Sequence, residues 1–162
     1  MKEMQSGIER IGFGPWLLVG FALAMGVAAA FLYWYQRTPK SAEAVIDGNV
    51  RVRVEVAHSP QTRERGLSGH APLAQDEGMF FVFPVADRYA FWMKDMLFPI
   101  DILWINGTEL VDITTDVPAP ASLDAPLPTY RPVAPADRVL EVPAGFAKTH
   151  GLRLGMTVEL RY

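Results

Sequence analysis

The feature that most constrains the fold is the stretch from Tyr89 to Asn106, which reads YAFWMKDMLFPIDILWIN. It places three charged residues, Lys94, Asp95 and Asp101, inside an apolar and aromatic run that predicts two strands. Burying a charged group is unfavourable unless that group is paired or hydrogen-bonded. We therefore expect these side chains either to pair with each other and with the backbone, or to line a site.

A long uncharged segment precedes this stretch. No charged residue occurs from Ile11 to Gln36. This run is long enough for a transmembrane helix, because about 20 helical residues cross the hydrocarbon core of a bilayer. Aromatic residues lie near both ends of the segment, as is typical of the two membrane interfaces. The sequence therefore predicts a cytoplasmic tail over 1–10, a transmembrane anchor over 11–36, a linker over 37–44 and a β-rich domain over 45–162.

A cleaved signal peptide is the alternative to an anchor. Three alanines at 28–30 resemble a cleavage site, but the apolar run continues through residues 31–34. Basic residues are almost evenly divided between the two sides of the segment, so they specify its orientation only weakly. The amino terminus itself favours the inside, which would put the domain in the periplasm or outside the cell.

The composition of the domain excludes several classes of function. From Ser41 onward there are 11 lysines and arginines against 16 aspartates and glutamates, a net charge of −5. The acids are dispersed, which argues against nucleic acid or an anionic membrane surface as a partner. The chain has no cysteine, so disulfides, thiolate catalysis and cysteine-based zinc sites are excluded.

Local patterns predict mostly strands. Valines at every second position from Val50 to Val56 predict a half-buried strand. Asn106-Gly107 is a hairpin signal that predicts antiparallel pairing of 100–105 with 109–114. Ser59-Pro60 predicts the start of a short helix that ends at Gly66 in a left-handed cap.

The remaining segments follow the same pattern. Further strands are predicted at 44–46, at 78–83 before Pro84, at 90–94, at 138–142 and at 156–162, with a short helix at 144–150. Residues 117–135 contain six prolines and predict a long surface excursion. Many short strands with little helix indicate an all-β (minor α) domain, built as a sandwich or a partly closed barrel.

Several blocks share their order and spacing with one known family. They are Arg65-Gly66-Leu67, residues 77–83 (EGMFFVF), residues 91–96 (FWMKDM), residues 99–102 (PIDI), residues 139–142 (VLEV), Gly145 and Gly155. Over about residues 45–162 the chain therefore resembles the domain of unknown function 192 family. The chain departs from that family's usual residues at Ser68, at Asp95-Met96 and at Met156.

The resemblance carries limited expectations. It implies an antiparallel β-sandwich of jelly-roll type, and a location at the bacterial cytoplasmic membrane, because members are often exported or anchored there. It implies no catalytic residues and no cofactor. We expect a binding or accessory module whose partners are the membrane, through residues 11–36, and a small molecule or an envelope protein, but no nucleic acid.

Lys94 and Asp101 are the first candidates for a site. A tight turn between the two predicted strands would bring them together at the mouth of an apolar pocket walled by Trp92 and Trp104. The alternative interpretation is structural: a buried ion pair, or an Asp101 carboxylate that accepts backbone N–H groups and fixes the turn. The alternation of the strand at 138–142 predicts that Glu141 faces solvent, although it could instead join the same pocket.

An enzyme is the alternative function. A small hydrolase or carbohydrate-active enzyme would use Asp101 together with Asp95 or Glu141, because glycoside hydrolysis needs two carboxylates flanking an open cleft. The three histidines lack metal-ligand spacing, and no metal site is expected. Methionines at 79, 93, 96 and 156 and phenylalanines at 80, 81, 83 and 91 are interpreted as core rather than as a copper site.

Overall fold

The structure, a computed structural model, describes residues 24–27, 41–122 and 125–162. In chain order the named elements are β1 Ser41–Ile46, β2 Val50–Ala57, α1 Pro60–Arg65, β3 Glu77–Asp87, β4 Phe91–Trp92, β5 Ile100–Asn106, β6 Glu109–Val117, β7 Thr129–Tyr130, β8 Ala136–Pro143, α2 Phe146–Thr149 and β9 Val158–Arg161. The prediction of a mainly β domain with little helix is confirmed.

Seven of the strands form one curled sheet in the order β6-β5-β8-β3-β2-β1-β9, and β4 pairs with β7 in a separate ribbon. All neighbouring strands are antiparallel except β2 and β3, which are parallel. The curl brings the two edges of the sheet together at one end. There the Leu110 N–H donates to the Met156 carbonyl at 2.9 Å, and the Val158 N–H donates to the Thr108 carbonyl at 2.7 Å.

The curled sheet differs from the jelly-roll sandwich that the resemblance implied and is nearer to the other expected architecture, a partly closed barrel. A sandwich buries one face of each sheet, whereas here the same sheet carries an apolar core on each of its two faces. The inner core contains Ala44, Ile46, Val52, Val54, Phe80, Leu103, Leu140, Val142 and Phe146. The outer core contains Leu67, Met79, Phe81, Met93, Met96, Ile100, Ile102, Trp104 and Val139.

The hairpin of β5 and β6 confirms the sequence prediction. Asn106 pairs with Glu109 and Ile105 pairs with Leu110, which leaves a two-residue loop at 107–108. Gly107 has φ +63°, a conformation that glycine adopts without steric cost. The Asp137 carboxylate accepts the Gly107 N–H at 2.8 Å and so ties the loop to the start of β8.

The helix α1 also follows its sequence signals. The Ser59 hydroxyl accepts the Thr62 N–H at 3.1 Å, and the Thr62 hydroxyl accepts the Ser59 N–H at 3.0 Å. This reciprocal capping box satisfies two N–H groups that a helix start otherwise leaves free. Gly66 ends the helix with φ +50° and ψ −138°, so the predicted left-handed cap is wrong in ψ.

Two strand boundaries differ from the prediction. β3 runs past Pro84 to Asp87, because its pairing with β8 is interrupted between Val82 and Asp87 and the proline therefore removes no ladder hydrogen bond. β4 ends at Trp92, so Lys94 lies in a turn rather than in a strand. These two boundaries shape the surface beside the outer core.

The structure describes only part of the predicted linker and anchor. β1 begins at Ser41 and pairs with β2 and β9, so residues 41–44 belong to the sheet rather than to a linker. The predicted anchor over 11–36 lies outside the described residues, apart from residues 24–27, which are helical. Within the described ranges, the structure contains no helix with the length and apolar character needed to span a membrane.

Candidate functional site

Asp101 is fully buried on β5 and is held by backbone groups. Its carboxylate accepts the N–H groups of Asp116 at 2.8 Å, Gly145 at 3.2 Å and Ala147 at 2.9 Å. These donors lie at the end of β6 and around the start of α2, so a single side chain joins three segments. This arrangement matches the structural alternative, in which the carboxylate fixes the backbone.

Lys94 does not meet Asp101. The lysine is exposed, and its backbone carbonyl accepts the Ser68 hydroxyl at 2.8 Å. No ion pair joins Lys94 to Asp101 in the part of the chain that the structure describes. The expected charged pair at the mouth of a pocket is therefore absent from this region, because the strand that was to carry Lys94 ends two residues earlier.

Glu141 is buried, contrary to the simple alternation interpretation. It is 5% exposed and lies in the middle of β8, opposite Met79 of β3 and Ile102 of β5. Among the described residues, no hydrogen bond or ion pair reaches its side chain. Burial raises the pKa of the Glu141 carboxyl from its ordinary 4.5 to about 8, because a charged carboxylate is disfavoured in apolar surroundings.

The two buried acids point to opposite faces of the sheet. Asp101 is opposite Val142 in the β5–β8 ladder, and Glu141 is opposite Ile102. Directly opposed residues share a face and successive residues alternate, so the sheet separates the two carboxylates. Asp95 is exposed in the turn before β5. The pairs of acids on which a glycoside hydrolase would depend are not assembled.

A cavity of about 200 Å³ opens on the outer face of the sheet, with Glu141 in its wall. Its lining residues are Arg63, Glu64, Arg65, Gly66, Leu67, Ser68, Phe81, Phe83, Tyr89, Ala90, Phe91, Trp92, Met96 and Glu141. Two of the five predicted pocket residues, Trp92 and Glu141, therefore lie together. Lys94, Asp101 and Trp104 do not line the cavity.

The aromatic wall of the cavity is tightly interlocked. Tyr89 stacks on Phe83 with ring centroids 3.8 Å apart, and the Arg63 guanidinium lies 5.0 Å from the centroid of the same ring. Phe91 meets Phe81 edge to face at 5.1 Å. Such contacts fix ring orientations, so the wall is formed before any ligand arrives.

Trp104 packs against the aromatic wall of the cavity without lining the cavity itself. It is fully buried, and its indole N–H donates to the Thr114 hydroxyl at 2.9 Å. Its ring packs edge to face against Phe91 at 5.2 Å. The expected role of Trp104 as a pocket wall is therefore replaced by an indirect one, in which it positions an aromatic residue that does line the cavity. Trp92, by contrast, is 53% exposed at the mouth.

Charged groups at the rim are partly engaged elsewhere. The Arg63 guanidinium donates to the His58 carbonyl at 2.7 Å and to the Val82 carbonyl at 2.8 Å. Arg65 lies 3.8 Å from the Glu55 carboxylate. In residues 24–27, 41–122 and 125–162, no group of three histidines or acids is placed to hold a metal.

Sequence reasoning missed most of the cavity wall. The sequence patterns predict Phe81, Phe83 and Phe91 as core, and they assign no role to α1 or to Tyr89. The signal that would have found them is the clustering of aromatic residues around the Pro84 break, where a strand leaves its partner and exposes ring edges. No sequence pattern points to Arg63, because its position at the cavity depends on how α1 packs.

Comparison with known proteins identifies the family and the fold. A family model described as "DUF192: Uncharacterized ACR, COG1430" matches residues 42–160. A Sinorhizobium meliloti 1021 protein, described as a "putative transcription regulator", is similar in structure with a TM-score of 0.67 and 27% identity, over 76% of this chain and 95% of that chain. A protein of unknown function from Novosphingobium aromaticivorans DSM 12444 is similar with a TM-score of 0.64 and 24% identity, over 74% of this chain and 84% of that one. No curated protein matches the chain.

Proposed function

Because this chain belongs to the uncharacterised DUF192 family, we propose from its own geometry that it is a binding module for a small molecule, held in the aromatic cavity on the outer face of the sheet. The observation that carries this proposal is Glu141, a buried acid with no polar partner among the described residues that lines this cavity. In the described residues no fully buried side-chain oxygen lacks a hydrogen-bond partner, so the Glu141 carboxyl is reached from the cavity, where a ligand can hydrogen-bond to it.

The shape of the cavity supports the same function. Small-molecule sites are concave and mostly apolar, with a few polar groups that orient the ligand. Here Phe81, Phe91 and Met96 supply apolar wall, Ser68 and Glu141 supply polar groups, and the exposed ring of Trp92 stands at the mouth. No nucleophile and base are paired in the described part of the cavity, so binding is supported better than catalysis.

A cavity-filling variant tests the proposal. Ser68→Phe places an aromatic ring in the cavity, whereas Ser122→Phe adds the same ring at an exposed site in the β6–β7 connection. Native mass spectrometry of the purified full chain should show a bound molecule in the wild type and in Ser122→Phe, and should not show it in Ser68→Phe. An identical spectrum for the two variants, or no bound species in any sample, would refute the proposal.

We also propose that residues 11–36 anchor the chain in the bacterial cytoplasmic membrane, with the domain in the periplasm or outside the cell. The uncharged length of this segment and its flanking aromatic residues support the anchor. Protease added to intact spheroplasts should digest the domain while leaving a cytoplasmic marker protein whole. Protection of the domain until the membrane is lysed would place it on the opposite side and refute this part.

DNA binding receives no support from this chain, although the similar Sinorhizobium meliloti protein is described as a transcription regulator. The segment from residue 41 onward carries 11 basic residues against 16 acidic ones. A nucleic-acid interface requires a basic patch that neutralises phosphates. A net negative domain with dispersed acids lacks that footprint, so we propose no nucleic-acid partner.

A further inference from the structure

We infer that the cavity selects uncharged ligands that carry a carbonyl or hydroxyl oxygen, and that Glu141 holds this oxygen by donating a hydrogen bond from its protonated carboxyl. The inference rests on the proposed binding function and adds to it the chemical class of the ligand. Binding then requires that the Glu141 carboxyl be protonated.

The surroundings of Glu141 favour the uncharged form of its carboxyl. Its direct neighbours across the sheet, Met79 on β3 and Ile102 on β5, are apolar. The other charged and titratable groups that line the cavity are Arg63, Glu64 and Arg65 on α1 and Tyr89 after β3.

None of these groups pairs with Glu141. Arg63 donates to two backbone carbonyls, Arg65 pairs with Glu55, and the Tyr89 hydroxyl donates to the Val85 carbonyl. Burial therefore raises the pKa of the Glu141 carboxyl to about 8, so at neutral pH the group is mostly protonated and has one O–H to donate.

The aromatic wall argues against a cationic ligand. A cation binds over the face of an aromatic ring, where the quadrupole is negative. Phe83 is already engaged by the Tyr89 ring stacked on it and by the Arg63 guanidinium over its ring. Phe91 is engaged in edge-to-face contacts with Phe81 and with Trp104.

The charged side chains of α1 that line the cavity add to this preference, because two of them, Arg63 and Arg65, are basic and one, Glu64, is acidic. A ligand carboxylate meets a different obstacle. It would have to lose its hydration beside an apolar wall, with Arg63 already engaged by backbone carbonyls. An uncharged oxygen faces neither obstacle and receives the Glu141 proton directly.

Three probes of matched size test the inference: benzamide, which is uncharged, the benzylammonium ion and benzoate. Binding to the full chain is followed by fluorine NMR of a fluorotryptophan label at Trp92, between pH 6 and pH 9. Benzamide should bind most tightly at pH 6. Its affinity should fall about tenfold by pH 9, in proportion to the protonated fraction of a carboxyl with a pKa of about 8.

Two variants separate the ionisation of Glu141 from general effects of pH. Glu141→Gln has an N–H donor that does not titrate, so the pH dependence of benzamide binding should disappear. Glu109→Gln, at an exposed position of the hairpin, should keep the wild-type profile.

The outcomes distinguish this inference from the function on which it rests. If benzylammonium binds more tightly than benzamide, with an affinity that rises with pH, or if benzoate binds most tightly, the cavity binds ligands but the inference is overturned. Benzamide binding that is independent of pH in the wild type also overturns it. If no probe shifts the Trp92 signal, the proposed binding function fails as well.

Discussion

At the scale of single residues, two buried acids have opposite surroundings. Asp101 accepts three backbone N–H groups, whereas no described residue donates to Glu141. Three charge-assisted hydrogen bonds compensate a buried carboxylate for its lost hydration. Glu141 has no such compensation and stays protonated instead. The first acid is held by the fold, and the second is the group that we propose to meet a ligand.

Replacing Asp101 by Asn should destabilise the domain. An amide has one acceptor oxygen, so its NH2 group would face an N–H donor of Ala147 or of Asp116 and Gly145. We expect Asp101→Asn to lower the free energy of unfolding by roughly 1–3 kcal/mol. Urea denaturation measures this.

The matched control for this change is Asp95→Asn, at an exposed turn position with φ +56° that asparagine also tolerates. It should unfold like the wild type. Equal unfolding midpoints for the two variants would show that the hydrogen bonds of Asp101 do not stabilise the domain.

Glu141 should make stability fall as pH rises. Its pKa is about 8 in the folded protein and 4.5 ordinarily, so between these values the folded state binds the extra proton. The free energy of unfolding should therefore decrease by up to about 1.4 kcal/mol per pH unit over this window. Below pH 4.5 the contribution is complete, and above pH 8 nothing more is lost.

Glu141→Gln should remove this slope. Urea denaturation of the variant and the wild type at pH 5, 6, 7 and 8 measures it, with Glu109→Gln as the exposed control. A wild-type slope that persists in Glu141→Gln would assign the pH dependence to another group.

The surroundings of Asp101 could be predicted from the sequence better than those of Glu141. An aspartate inside the apolar run of β5 already required a partner, and backbone N–H groups were among the alternatives. Its donors lie 15 to 46 positions away along the chain, so no local pattern identifies them. For Glu141, alternation fixes that it points away from Leu140, but it does not tell that both faces of the sheet are covered.

At the scale of elements, the close packing of β3 against its neighbours depends on one glycine. A Cβ atom at Gly78 would lie 2.6 Å from the Glu141 carbonyl oxygen and 3.2 Å from a methyl group of Val52. Only a residue without a side chain allows β3 to approach β8 this closely. The backbone position of Glu141, and therefore the cavity, depends on this approach.

Gly78→Ala should therefore strain the sheet. We expect the free energy of unfolding to fall by about 1–3 kcal/mol, because the added methyl meets backbone that cannot move aside without disturbing the ladder. Gly48→Asn, in a turn with open space and φ +74°, should change it little. The thermal unfolding midpoints of the two variants test this, and an unshifted midpoint for Gly78→Ala would contradict it.

Strands and helices were predicted well where a sequence pattern within the element determines it. The alternating valines of β2, the Ser59 cap and the β5–β6 hairpin all appear as predicted. The strand predicted at 90–94 exists but is shorter, Phe91–Trp92, because these residues find a partner only in β7, nearly forty positions later in the proline-rich excursion. The end of β3 was predicted too early, before Pro84, for a similar reason, because the bulge that accommodates the proline forms against β8.

At the scale of the whole molecule, one curled sheet with a core on each face explains why its central strands are so apolar. β5 is buried along its length from Ile100 to Ile105, because the inner core covers one face and the outer core covers the other. The class of the fold followed from the many short strands. The choice between a sandwich and a partly closed, curled sheet did not, because it depends on edge contacts such as the hydrogen bond from the Leu110 N–H to the Met156 carbonyl.

Amide hydrogen exchange should follow this layering. The amides of β5, of β8 and of the buried half of β3 up to Phe81 should exchange only when the whole domain unfolds, whereas those of the two-residue strands β4 and β7 should exchange by local opening. NMR exchange measurements in the native state test this. Equal protection of Trp92 and Leu103 amides would mean that the β4–β7 ribbon is as firmly held as the centre of the sheet.

The pairing of β1 with β9 has a consequence for how the protein is made. Glu43 stands opposite Arg161, so the first strand of the domain acquires its outer neighbour from the last. A ribosome delivers β9 only after all the intervening strands of the sheet, and until then this edge of β1 stays open. Closing the β1 edge of the sheet is therefore a late step in the folding of a chain that is still being synthesised.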